Sequence, residues 1–217
     1  GIKECKCYGC GRCIKSCPLN LISEYEYNLS KNDLQSTLQK IKPDAVEIHT
    51  EIERIDSFAK VVSILKTSET KLEKISVSCG LNQSNKEPKD LLKALWERYE
   101  ILNDLNVPII WQLDGRPMSG DLGASTAKDT VKLFKTIGSY LPPGLIQLAG
   151  GTNGRTYEFL NKNTLPDGIA FGSSARKIMQ PFIEFANNNN QRLFEYPEQM
   201  NLAIQEAKKL LRPWKIR

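Results

Sequence analysis

No apolar run in this chain of 217 residues approaches the roughly 18 needed to cross a bilayer, and the opening residues, GIKECK, lack the apolar stretch of a secretory signal. Both absences predict a cytoplasmic protein with no integral membrane segment. A disulfide framework is missing as well, because five of the six cysteines crowd into residues 5–18 and the sixth, Cys79, stands far away. In a reducing compartment a cluster of that density points to metal. Charge of one sign is not strongly in excess: the net value is +5, some of it in the C-terminal run EAKKLLRPWKIR, where Leu210, Leu211, Trp214 and Ile216 are interleaved. Short basic runs of this kind usually end a solvated helix, so no nucleic-acid partner is expected. The chain opens on Gly1 rather than methionine, with Cys5 almost at the terminus, and is expected to be a piece of something longer.

What is present is the stretch CKCYGCGRCIKSCP at residues 5–18. Its spacing, Cys7-x2-Cys10-x2-Cys13-x3-Cys17-Pro18, is that of a bacterial ferredoxin. Three thiolates must reach three corners of one iron–sulfur cube from a single tight loop, and thiolates are the soft ligands such clusters prefer. Gly9 and Gly11 let the backbone turn its N–H groups toward the cluster sulfides, and Pro18 ends the loop. A structural zinc site also uses C-x2-C pairs, but normally draws two pairs separated by a longer finger. The expected cofactor is therefore a 4Fe-4S cluster held by Cys7, Cys10, Cys13 and Cys17. In two-cluster ferredoxins the fourth cysteine of a run ligates the other cluster, and this chain has no second run. Either Cys17 closes the same cube or a partner run lies upstream, so the intact protein holds one cluster or two. Cys5 reads as a free thiol and Cys79 as a small buried residue.

From residue 30 onward the pattern alternates. DAVEIHT (44–50), KISVSCG (74–80), VPIIWQLDG (107–115), GLIQLAGG (144–151) and DGIAFGSS (167–174) are expected to be buried parallel strands, with helices at 52–66, 89–104, 125–138 and 174–187. About five βα units define an α/β fold, either an open doubly wound sheet or part of a (β/α)8 barrel. Glycine-rich strand ends favour the C-terminal portion of a TIM-like barrel preceded by a ferredoxin-type segment, so that residues 1–30 form the iron–sulfur segment and 31–217 the βα-repeat domain. In barrels a phosphate commonly sits on the loops after strands seven and eight, held by backbone N–H groups and a helix N-terminus. LAGGTNG (148–154) and FGSSARK (171–177) are candidates for those loops, which would make three strands missing. Gly150, Gly151, Thr152, Asn153, Gly172, Ser173 and Arg176 are thus candidate binding residues for FMN or another phosphate-bearing ligand. The competing reading is that the glycines only permit tight strand-to-helix turns.

A second constellation is QLDGRPMSGDLG at 112–123, where Asp114, Arg116, Ser119 and Asp121 crowd one strand end. His49, the only histidine, closes the first strand on the same expected face. A lone histidine is more often structural than catalytic, and no nucleophile–base pair is legible in the spacing, so no catalytic residue is assigned.

Taken together and in this order, CYGCGRC, VEIHT, WQLDGRPMSGDLG, QLAGGTN and GIAFGSSARK resemble the cyanobacterial light-dependent period A (LdpA) family, iron–sulfur proteins of circadian clock input. The likeness runs from residue 7 to about 185 and thins in the connecting helices. It implies longer members, with a segment resembling the first barrel strands and another cysteine-rich run before the part seen here. It also implies a redox sensor, whose clusters follow photosynthetic electron flow and alter contacts with circadian clock and input-pathway proteins; a redox partner or a quinone is a further candidate. The ligands carried over are Cys7, Cys10, Cys13 and Cys17, while Cys5 departs from the family pattern. The alternative function is a flavin-linked iron–sulfur oxidoreductase with FMN or a phosphorylated ligand at the barrel strand ends.

Overall fold

The computed structural model describes residues 3, 7, 11–24, 29–81, 86–115, 126–161 and 163–215. In chain order the elements are α1 (Arg12–Ser16), α2 (Lys31–Ile41), β1 (Ala45–His49), α3 (Ile55–Thr67), β2 (Lys74–Gly80), α4 (Pro88–Leu102), β3 (Ile109–Asp114), α5 (Thr126–Ile137), β4 (Leu145–Ala149), α6 (Thr156–Phe159), β5 (Gly168–Ile169), α7 (Ser173–Asn188) and α8 (Pro197–Leu211). All five strands pair in parallel, in the order β1-β2-β3-β4-β5. Strand order that follows chain order has no reversal, so the sheet lacks the switch point a doubly wound fold requires. Helices α2 to α6 pack each against the next, as expected of crossovers of one hand that return to the same face.

Local chemistry sets the boundaries. Ser30 caps α2 by accepting a hydrogen bond from the Asp33 amide at 3.2 Å, and Pro88 opens α4 where its missing N–H costs nothing. Pro197 does the same for α8. Helix α2 precedes the first strand and lies outside the strand–helix alternation, α8 extends upstream of the helix end expected in the basic C-terminal run, and β5 pairs over only two residues of the run expected at 167–174.

The strands expected to be buried are so at β2 and β3, whereas β1 keeps Glu47 and His49 exposed. Side chains alternate across each strand, and one set faces the helices: Ile48, Ile75, Val77, Cys79, Ile109, Trp111, Leu113 and Leu148 join Phe58, Val62, Leu91, Leu95, Val131 and Phe134 in a single core. Trp111 is fully enclosed, with its indole N–H donated to the carbonyls of Pro142 and Pro143 at 3.0 and 3.2 Å. The other set is mostly polar. Glu47, His49, Ser76, Ser78, Gln112, Asp114 and Gln147 stand on the opposite face, where Glu47 and His49 are exposed.

The basic C-terminal run has a packing role. Leu210 is buried, and Trp214 stands edge-on to Tyr157 and Phe171 at centroid distances of 5.4 and 6.4 Å. Its tryptophan therefore packs the segment after α8 against α6 and the residues that follow β5.

Candidate functional site

The cysteine segment is built from a single short turn. Gly11 takes a left-handed φ of 68° and caps α1, which carries Cys13, and Cys17 follows the last helical residue in extended geometry. Cys17 accepts a hydrogen bond at Sγ from the Leu21 amide, 3.3 Å away. That bond and further backbone N–H groups hold the thiol below its ordinary range, favouring the thiolate that iron requires. Cys13 and Cys17 are free thiols, and Cys7 is exposed. Cys5, Cys10 and Gly9 lie outside the described residues. Among the described residues no three His, Cys, Asp or Glu side chains converge on one metal position. The donors that are described suit a cluster: sulfur side chains, one accepting a backbone N–H, presented from a loop with few packing contacts of its own, since Leu19 and Leu21 are largely exposed.

The glycine-rich strand ends are brought side by side. Gly150 and Gly151 take φ of 56° and 102°, leaving their carbonyls to accept from Thr130 Oγ1 at 2.7 Å and Thr126 Oγ1 at 2.8 Å. Thr152 is buried and donates its hydroxyl to Ala170 O, which binds this loop to the end of β5. Asn153 accepts from the Arg155 amide at 2.9 Å. Across from it Gly172 caps α7, whose first turn holds Ser173, no acid, and Arg176, with Arg176 Nη2 3.3 Å from Ser173 Oγ. Much of the first loop's polar capacity is thus spent within the protein. The second loop opens a helix N-terminus whose first turn carries no acid.

At the ends of β1, β2 and β3 the structure assembles a cluster of which the sequence points only to His49 and Asp114. Parallel register puts His49 beside Ser78, Ser78 beside Gln112, and Gln112 beside Gln147. Ser78 Oγ lies 2.8 Å from His49 Nδ1 and donates to Asp114 Oδ2 at 2.5 Å, while His49 Nδ1 and Asp114 Oδ2 are 3.7 Å apart. Beside them Gln147 donates to Gln112 Oε1 at 2.5 Å, and Gln112 donates to Glu47 Oε1 at 3.1 Å. Burial raises the Asp114 carboxyl above its usual range, against the pull of Ser78 and His49. Gly80 makes the close approach possible, because a Cβ there would stand 2.3 Å from Asp114 O. Arg98 reaches from α4 to donate to Thr50 Oγ1 and the carbonyls of Glu51 and Ile52, pinning the turn that follows His49. Arg116, Ser119 and Asp121 lie outside the described residues. Cys79 faces the core, and burial pushes its thiol up to about 11.

Ser78, Gln112, Gln147 and Glu47 were missed, although a signal existed. In VEIH, ISVS and WQLD a polar residue recurs at every second position, and Gln147 of IQLA falls in the same phase, the mark of a strand whose two faces differ. Two shallow surface hollows lie elsewhere, one near Lys42, Pro43 and Thr70 and one beside Lys132 and Phe159.

Comparison with known proteins matches residues 37–213 to the family model described as the Light dependent period A C-terminal domain, and residues 1–28 to the LdpA Fe-S cluster-binding domain. The curated protein named Light dependent period A from Synechococcus elongatus is 33% identical over 223 aligned positions, which cover 99% of this chain. The chain spans 62% of that relative's length. Among solved structures the YdjI aldolase of Escherichia coli K12 overlaps 88% of this chain and 89% of its own, at 9% identity and a TM-score of 0.35, which is too loose to carry an inference.

Proposed function

Because this chain belongs to the light dependent period A family, and carries that family's iron–sulfur cluster-binding domain, we propose that it is a redox sensor whose cluster reports electron flow to the circadian input pathway through protein contacts. The observation that carries the reading is the cluster-binding match over residues 1–28, joined to a Cys17 sulfur that already accepts a backbone N–H. Cys7, Cys10, Cys13 and Cys17 would hold a 4Fe-4S cluster, which supplies one-electron exchange when bound. The chain's own residues do the rest. The left-handed Gly11 turns the backbone into α1, so that Cys13 and Cys17 follow one another around a single turn. Lys6, Arg12 and Lys15 set positive charge along the same stretch of sequence, so one added electron changes the field met by a docked partner.

In this reading residues 1–30 are the sensing segment and 31–217 the scaffold, an arc of a TIM-like barrel. Support for the arc comes from strand order that follows chain order, with consecutive helices packed side by side. No described helix is long and apolar enough to cross a membrane, in keeping with work at a cytoplasmic protein surface. The partners proposed are clock and input-pathway proteins, with a redox partner or a quinone as electron source.

The test is anaerobic purification followed by iron and sulfide analysis and dithionite bleaching. Iron and sulfide in equal amounts with a bleachable visible band support the reading; zinc in their place ends it. The route to the partner fails if Arg12→Ala and Lys15→Ala leave redox-dependent binding unchanged. A second reading, a flavin-linked oxidoreductase, draws on the acid-free first turn of α7, which holds Arg176 and follows β5, the strand paired with β4 ahead of the Gly150–Asn153 loop. It predicts that FMN or inorganic phosphate binds, and that Arg176→Ala weakens the binding.

A further inference from the structure

The polar face of the sheet takes no part in the cluster reading, yet its hydrogen bonds run in one direction. Ser78 has a single hydroxyl proton and spends it on Asp114, so with Asp114 ionised the 2.8 Å contact with His49 needs a proton on Nδ1. A neutral imidazole protonated at Nδ1 carries its free lone pair on Nε2. The His49 side chain is 56% exposed, whereas that of Asp114 is 13% exposed, so the ring is anchored at one nitrogen and open to ligands at the other side.

We propose that this face carries a proton-transfer site in which His49 Nε2 is the base, set by Ser78 and Asp114, acting on a small hydroxyl-bearing ligand laid across Glu47, Gln112 and Gln147. Glu47 and His49 are two residues apart on one strand and face the same way, and each offers an acceptor, which matches hydroxyl donors. Gln112 and Gln147 extend the row as a fixed amide chain. The Ser76 hydroxyl, on the same face, is buried without a partner among the described residues. Among the described residues the charged groups near the ring are Asp114 on β3 and Glu47 on its own strand, while Glu51 in the following turn is paired with Arg54 at 3.1 Å. In the transfer an N–H bond forms at Nε2 as the ligand's O–H bond breaks, leaving the electron pair on oxygen. The imidazolium keeps its Nδ1–H on Ser78 and its charge 3.7 Å from Asp114, until the proton is returned.

The site is independent of the cluster, and its test leaves the cysteines untouched. His49 is the only histidine, so a long-range 1H–15N correlation on the intact chain reads one ring. The expected neutral form is protonated at Nδ1, the reverse of the Nε2–H form that free side chains favour, and Ser78→Ala loses that preference while Ser78→Thr keeps it. A ring protonated at Nε2 in the unaltered chain overturns the proposal, as does an Nδ1 preference that survives Ser78→Ala. Diethyl pyrocarbonate should modify His49 about as fast as a free imidazole, and a protected ring would equally refute the site.

Discussion

The cysteine segment and the polar face of the sheet present opposite relations between sequence and chemistry. In the segment all the candidate ligands fall within eleven residues, and spacing alone names them. Little burial supports them, since Leu19, Leu21 and Leu29 are exposed. On the sheet, Glu47, His49, Ser78, Gln112, Asp114 and Gln147 come from four strands spread over a hundred positions, and only a packed core brings them to one register. The difference teaches that ligands held by bonds to a cofactor need only a flexible reach. Groups that act through hydrogen bonds need a rigid scaffold.

That contrast is open to direct challenge. The largest effect is expected from Cys13→Ser or Cys17→Ser, which should abolish stoichiometric iron while leaving the far-ultraviolet spectrum and thermal midpoint of the βα portion in place; a coupled collapse would show the two regions to be one unit. Next comes thiol reactivity in the iron-free chain. With Cys79 raised to about 11, its thiolate at pH 8 is about a thousandth of the total, so iodoacetamide should label Cys17, whose thiol is lowered, and spare Cys79 until the chain unfolds. Peptide mass spectrometry after a short pulse reads the ratio.

Trp111→Ala removes the largest enclosed side chain under the polar face and should cost about 3–5 kcal/mol in denaturant melts, with iron per chain unchanged. The smallest effect belongs to Asp114. Its carboxyl is raised in the folded state, so the folded chain binds more protons than the unfolded one between the ordinary carboxyl range and the raised value. Its contribution to stability is therefore full below that range and is lost as pH rises through it. Asp114→Asn should flatten this part of the profile in melts taken across acidic pH. An unchanged slope would show that Asp114 is as well solvated as a surface carboxylate.

Much of the fold was legible. Each run of β-branched residues became a strand within a few positions, and Pro88 and Ser30 mark helix starts that their own backbone chemistry explains. Helix α2 stands before the first strand, outside the alternation that marks the other helices, and of α8 only the end within the basic C-terminal run was expected. At the strand ends, Gly150 and Gly151 were rightly noticed as special. Their positive φ shows why glycine is there, and the Thr126 and Thr130 bonds to their carbonyls are long-range contacts that no local pattern carries.

By itself the sequence determined which sulfurs are candidate ligands, the number of βα units and the ends of most elements, because spacing, capping and side-chain periodicity act over a few residues and need no partner from elsewhere. Tertiary structure alone decided which face of each strand meets the helices, that Ser78 stands between His49 and Asp114, and that the Gln112 amide bridges Glu47 and Gln147. Those outcomes depend on register between strands, and register is chosen by burial of Trp111, Val77, Leu113 and their neighbours in one shared core.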